Sequence, residues 1–379
     1  MDRKKFLTVS ALMLIALTAV SCDLAAKNPY LVYTGSNSEM RIQWQLRKTA
    51  SCLLEWGDTP ACGHGRIATE ESRGGKRRHI HSPVIRDLSP GKKYYYRVTM
   101  EGRQSSGSFF TAPAAGGSNL KFVAYGDTRT NPRQHDILAG EILKLWSRDE
   151  GYRTFILATG DLTFDGNIEL NWTREFFNGR YANIRGVLAG APLISCWGNH
   201  EGFGRLFAEY FPFPYVDNSY WAFDYGPAHF VMLDQNSSYR PGSAQYAWLV
   251  KDLSGTGKRW KFIALHEPGW SAGSTDPFRG HGNNRDVQRY IQPLCRDYGV
   301  DIVFCGHNHY YARAEVDGVK HLTLGGGGAP LYPPDPGKDR IVTVSESFHY
   351  STVEISGGRL VFTAIEPGGA EIDRFVINK

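Results

Sequence analysis

Short apolar runs broken by turn clusters fill the first third of the chain. Arg41-Ile42-Gln43-Trp44-Gln45-Leu46 and Cys52-Leu53-Leu54-Glu55-Trp56 read as strands, and a Gly-rich, charged loop follows them. After residue 119 the period changes. Leu120 to Tyr125 is a strand, and Ile137, Leu138, Ile142 and Leu145 then recur at helical spacing. Thr154 to Ala158 and Leu193 to Trp197 are further strands with a helix-like stretch between them. Tyr246, Leu249, Val250 and Leu253 precede the strand Trp260 to Leu265, and Val287, Ile291 and Leu294 precede Val300 to Phe304. Such alternation predicts an α/β layered domain. The last forty residues, with turns at Gly357-Gly358 and Gly368-Gly369, return to strands. Ala112 to Ser118 is small and turn-rich. The expected organisation is therefore an all-β sandwich over 28–113, a linker over 114–119 and the α/β domain over 120–379.

Composition narrows this picture. A chain of 379 residues, 41% hydrophobic and 21% charged, suits two globular domains. A net charge of +5, part of it from Arg3, Lys4 and Lys5, is too mild and dispersed for a nucleic-acid binder, and no nucleic-acid partner is expected. The run Lys76-Arg77-Arg78-His79 reads as a solvated loop. Basic residues 3–5 followed by the apolar stretch Phe6 to Val20 form a targeting segment too short for a membrane span. It ends in Ala19-Val20-Ser21-Cys22, which resembles a lipobox, so residues 1–22 predict export with a lipid anchor at Cys22. Cleavage near Ala25-Ala26, giving a secreted or periplasmic protein, is the alternative. In an oxidising compartment Cys52 and Cys62 are close enough in sequence to bridge, whereas Cys196, Cys295 and Cys305 read as buried small hydrophobes.

Candidate chemistry lies in five motifs, each directly after an apolar strand: Gly126-Asp127-Thr128-Arg129, Gly160-Asp161-Leu162-Thr163, Gly198-Asn199-His200-Glu201, Leu265-His266-Glu267-Pro268 and Gly306-His307-Asn308-His309. In open α/β sheets ligands collect at the carboxyl ends of strands, so these side chains are expected to share one pocket. Carboxylate, amide and imidazole together suit borderline divalent metals rather than calcium.

This motif set resembles that of the calcineurin-like metallophosphoesterases. Leu88-Ser89-Pro90-Gly91-Lys92-Lys93-Tyr94 in turn resembles a fibronectin type III tyrosine corner, as in the sandwich that precedes the catalytic domain of purple acid phosphatases. The resemblance implies two divalent ions of Fe, Mn, Zn or a similar metal. Asp161 would bridge them, Asp127 and His309 would bind the first, and Asn199, His266 and His307 the second. It further implies attack on a phosphate monoester or diester by a hydroxide formed between the ions, with His200 assisting the leaving oxygen. Two ligands depart from the pattern. Arg129 stands where most of the family has the His of Asp-x-His, and Phe164 stands where purple acid phosphatases have Tyr.

His135 is a candidate replacement, because Asn131-Pro132-Arg133-Gln134 reads as a helix start that sets it in the first turn. Arg129 offers only donors; it either clamps a phosphate oxygen or pairs with a neighbouring carboxylate. Gly325 to Gly328 read as a backbone turn beside the pocket or a nucleotide loop, and they lack a P-loop Lys. His281 falls in a possible pocket loop with no role assigned. The aromatic stretch Phe203 to Tyr225 is either a core patch or a wall of the cleft. The rival to a hydrolase is a surface-binding or adhesion lipoprotein with a degenerate site.

Overall fold

Strict alternation in the strand Lys93–Met100 buries Tyr94, Tyr96, Val98 and Met100 and leaves the residues between them partly exposed, as one solvated face requires. In the computed structural model, which describes residues 25–74, 78–217, 219–273 and 280–379, this strand pairs antiparallel with Cys52–Gly57 and Arg103–Phe110. Gly65–Thr69 completes a four-stranded sheet. Ala25–Val32, Met40–Leu46, Arg78–His81, Ser72–Gly74 and Val84–Ile85 form a second antiparallel sheet. Met40, Ile42 and Trp44 from one layer meet Leu54, Tyr94 and Val98 from the other in a common core. The Tyr94 hydroxyl accepts the Ser89 N–H at 3.0 Å, closing the expected tyrosine corner. The expected targeting segment with Cys22, and Lys76 and Arg77 of the basic run, lie outside the described residues.

The second part of the chain holds two more sheets. Leu193–Ser195, Ile156–Ala158 and Asn119–Tyr125 run parallel and continue antiparallel into Tyr350–Ser356, Arg359–Ile365 and Glu371–Asn378. Facing them, Ala228–Met232, Trp260–Ala264, Ile302–Cys305 and Val319–Leu324 run parallel, flanked by Trp221–Tyr225, Tyr311–Val316 and Ile341–Ser345. Phenylalanines fill the space between the sheets: the Phe122 ring lies 4.9 Å from Phe155, 5.5 Å from Phe230 and 6.2 Å from Phe304. Helices cover both outer faces. Pro132–Arg148 and Ala182–Gly190 lie on the first sheet, and Ala244–Gly255 and Gln292–Tyr298 on the second. The first helix starts as its sequence requires, with the Asn131 side chain accepting the Gln134 N–H at 3.3 Å.

Three expectations change. Arg78 is not a solvated loop residue, because its guanidinium makes a two-point pair with Glu209 at 2.7 and 2.8 Å and ties the sandwich to the helix Arg205–Tyr210. Cys52 and Cys62 do not bridge to each other. Cys52 opens the strand Cys52–Gly57 and Cys62 lies against Gly57 at its other end, and at about 3.3 Å per residue that strand exceeds the roughly 7 Å a disulfide spans. Of the aromatic stretch, Phe207, Phe211, Phe213, Trp221, Phe223 and Tyr225 are core, whereas Phe203 is 91% exposed.

Candidate metal centre

Asp127, Asp161 and His307 each follow the end of a parallel strand, and each holds a left-handed backbone, with φ of 57°, 55° and 67°. A side chain in that region costs roughly 1–3 kcal/mol and persists where the surroundings enforce it. Here they do. At Gly198 a Cβ would overlap Asp161 Oδ1, so only glycine admits the Asp161 carboxylate so close to the next motif. Gly327 lies against the Gly126 carbonyl and donates to it at 2.8 Å, and Ala329 N–H donates to the Asp127 carbonyl at 2.9 Å. The Gly-rich loop is thus a backbone clasp on the first motif.

The parallel strands of both sheets end at one edge, and this convergence assembles the site. Ligand atoms of Asp127, Asp161 and His266, all buried, lie within 4.8 Å of one another. His266 Nδ1 donates to the Thr159 carbonyl at 2.6 Å, which directs Nε2 at Asp161 Oδ1, 3.2 Å away. His307 Nδ1 lies 2.9 Å from Asn199 Oδ1 and 3.3 Å from His266 Nε2. His309 donates from Nδ1 to the Pro330 carbonyl at 2.6 Å, leaving Nε2 3.8 Å from Asp127 Oδ1. All six expected ligands therefore meet. His200 joins them, its N–H on Asp161 Oδ1 at 3.0 Å, its Nδ1 on the Phe164 carbonyl and its Nε2 3.9 Å from Asp161 Oδ2.

The spacing fits an ion. In a four-coordinate site with bonds of about 2.0–2.1 Å the ligand atoms stand about 3.3 Å apart, and the contacts among Asp161, Asn199, His266 and His307 run from 2.9 to 3.3 Å. The tautomers fit too, since backbone carbonyls hold Nδ1 of His266 and His309 and leave Nε2 facing the carboxylates. Charge makes the same point. Burial, with Asp161 close by, pushes the Asp127 carboxyl up to about 8. Burial opposes charge on Asp161 as well, but His266 holds it below the ordinary carboxylate range. Burial likewise opposes charge on His266, and its contact with Asp161 outweighs this, lifting it to about 10. His309 is driven down to about 3 by burial and by Arg129. A bound cation would relieve the crowding of the two carboxylates.

Two candidates sit elsewhere than expected. His135 is not among the clustered ligands: it is buried, with Nε2 3.0 Å from the Tyr125 hydroxyl and its ring stacked on Phe176 at 5.8 Å. The first turn of its helix faces the hydrophobic core, so its amphipathic stripe takes the imidazole inward. Arg129 lies inside the site. Its Nε donates to Asp161 Oδ2 at 3.3 Å and its Nη2 to His309 Nε2 at 3.2 Å. Phe164 is 52% exposed beside His200, with ring centroids 5.7 Å apart.

Sequence reasoning assigned no role to Glu201, His281 or Tyr332. Glu201 is fully buried and accepts three backbone N–H groups, Gly198 at 2.6 Å, Asp161 at 2.9 Å and Leu162 at 2.8 Å, locking the second motif to the third. An acidic residue at the end of Gly198-Asn199-His200-Glu201 was visible, but its partners are backbone groups that the sequence does not display. The His281 ring lies 4.1 Å from His307, and Tyr332 stacks on His309 at 4.4 Å and 15°.

A two-sheet α/β sandwich that gathers Asp, Asn and His ligands at its strand ends defines a metallophosphoesterase. The family model described as calcineurin-like phosphoesterase matches residues 120–311, and that described as purple acid phosphatase, N-terminal domain, matches 26–112; the chain belongs to the calcineurin-like phosphoesterase family. Purple acid phosphatase 18 of Arabidopsis thaliana is 26% identical over 77% of this chain and 69% of its own length. Purple acid phosphatase 15 is 28% identical over 68% of this chain and 56% of its own. Purple acid phosphatase 23 is 32% identical over 68% and 66%. The alignments thus leave about a third or more of these relatives unmatched. Among solved structures, the yellow lupin purple acid phosphatase PPD1 shares the fold with a TM-score of 0.76 and 20% identity, over 92% of this chain and 74% of that one. PhoD shares it at 0.68 and 14%, over 95% and 91%.

Proposed function

We propose that this protein is an exported, metal-dependent hydrolase of phosphate esters. The observation that carries the reading is the convergence of Asp161, Asn199, His266 and His307 at contacts of 2.9 to 3.3 Å. These four would hold the ion of the second position, and Asp127 and His309 line the position that the resemblance gives to the first. A bound dication supplies Lewis acidity and lowers the pKa of water from 15.7 toward about 7. The chain's own residues do the rest. The Asn199 amide is half free to donate to a phosphoryl oxygen. Three of Arg129's five N–H donors are engaged, by Asp161, His309 and Thr130, so two remain for an equatorial oxygen. His200, with Nδ1 committed to the Phe164 carbonyl, presents Nε2 as the atom that would deliver a proton to the departing alkoxide.

Arg3, Lys4 and Lys5 before the apolar stretch to Val20 support export, and Ala19-Val20-Ser21-Cys22 supports lipid attachment at Cys22. No helix among the described residues is long and apolar enough to cross a membrane.

The test is hydrolysis of a chromogenic phosphomonoester and a diester by protein lacking residues 1–22, supplied with Mn, Zn, Fe, Co or Ni, beside Asp161→Asn. Metal-dependent turnover that falls at least about a hundredfold in Asp161→Asn is expected. Turnover equal in the variant, or independent of metal, would refute the reading.

A further inference from the structure

We infer that Arg129 takes the position of the first ion, so that this protein binds one divalent ion and completes the site's positive charge with a guanidinium. The inference rests on the metal-dependent reading above and specifies its site. In the sequence Arg129 stands where most of the family has an imidazole ligand. In the structure its guanidinium fills the space that ligand would serve. Nε donates to Asp161 Oδ2 at 3.3 Å, and Nη2 donates to His309 Nε2 at 3.2 Å. Those two atoms are the lone pairs a first ion would need.

His309 cannot serve both partners. Its Nδ1–H is committed to the Pro330 carbonyl at 2.6 Å, so Nε2 has a single lone pair, which points at Arg129. An ion bound there would need it at about 2.0–2.1 Å. Asp161 is divided in the same way. Its Oδ1 faces His266 Nε2 at 3.2 Å and Oδ2 faces the guanidinium.

Nor is Arg129 a loose surface residue. Its side chain is 11% exposed, and Nη1 donates to Thr130 Oγ1 at 3.2 Å. Neither candidate replaces the lost ligand: Phe164 carries no ligand atom in its side chain, and His135 is packed against Tyr125 and Phe176. A dication placed among Asp127, Asp161 and His309 would meet a fixed positive charge that cannot deprotonate. The second position is free of this conflict, since His266, His307, Asn199 and Asp161 Oδ1 face one another and His266 Nδ1 faces the Thr159 carbonyl, whereas Arg129 faces Asp161 Oδ2 and His309.

The experiment is metal stoichiometry. Full-length protein is saturated with Mn²⁺, freed of loosely held ion by gel filtration, and assayed for metal by mass spectrometry and for ion–ion coupling by EPR. The unaltered protein is expected to carry about one ion per chain, with the hyperfine spectrum of an isolated Mn²⁺. Arg129→His, which restores the imidazole, and Arg129→Ala, which only clears the position, are expected to rise toward about two ions with an exchange-coupled signal. Two coupled ions in the unaltered protein would overturn the inference and leave metal-dependent hydrolysis standing. Failure of both folded variants to gain an ion would also overturn it, because Arg129 would not be what excludes the first ion. An unaltered protein that binds no ion overturns the metal-dependent reading and this inference with it, and favours the binding lipoprotein.

Discussion

Glu201 touches no group that would react, yet its replacement by alanine is expected to cost both stability and metal. The carboxylate is fully buried and is the acceptor for the N–H groups of Gly198, Asp161 and Leu162 at 2.6, 2.9 and 2.8 Å. Each buried N–H left without a partner costs roughly 1–3 kcal/mol, so three give a range of about 3–9 kcal/mol. Water entering the vacated space would restore part of this, which places the expected loss near the lower end, roughly 3–5 kcal/mol. With about 2–4 °C lost per kcal/mol in a domain of this size, Tm should fall by about 6–20 °C. Metal affinity should fall as well, because the same bonds hold Asp161 at its left-handed φ of 55°. Glu201→Gln keeps one acceptor oxygen and turns the other position into a donor facing an N–H, so it should lie between the two. The assay is thermal unfolding followed by circular dichroism on metal-free protein, which keeps ligand stabilisation out of the comparison, with a separate metal titration. An Ala variant whose Tm stays within about 2 °C of the parent, with unchanged metal affinity, would refute the reasoning.

The remaining predictions concern His200 and the buried histidines. If His200 protonates the leaving oxygen, His200→Ala should lower kcat about 10²–10⁴-fold on an alkyl phosphate ester and far less on a p-nitrophenyl ester, whose leaving group needs no proton. Metal content should be unchanged, and equal losses on both esters would count against the role. His135, His321 and His349 are fully buried, and burial drives them down to about 3, 3 and 4. Their folded pKa values lie below the unfolded value near 6.5, so the unfolded chain takes up protons first as pH drops. Stability is complete above about pH 6.5 and is lost as pH falls from there toward the folded values, by about 2 kcal/mol per histidine at pH 5. Urea unfolding at pH 7 and pH 5 measures this. His135→Gln should flatten the dependence, and an unchanged slope would exclude His135 as a contributor.

Much of the site was legible because its grammar is local. A strand has to end in a turn, and a Gly before Asp127, Asp161, Asn199 and His307 marks each turn at which a ligand leaves the sheet. Helical spacing likewise predicted the helix Pro132–Arg148, down to its Asn131 cap. His135 shows the limit of that grammar. Its place in the first helical turn was readable, but which way the turn faces depends on the helix's rotation against the sheet, and that is set by Leu138, Ala139, Ile142 and Trp146 packing into the core.

What the sequence determined by itself, then, is the order of strands, turns and ligand types, because periodicity and turn chemistry act over a few residues. Tertiary structure alone decided the contacts between segments far apart in the chain. Glu201's three N–H partners belong to two different strand ends, Arg129 and His309 are 180 residues apart and donate and accept across the site, and Arg78 finds Glu209 in the other domain. Each depends on where separately folded elements come to rest against one another, and that is a property of packing over the whole protein rather than of any stretch of sequence.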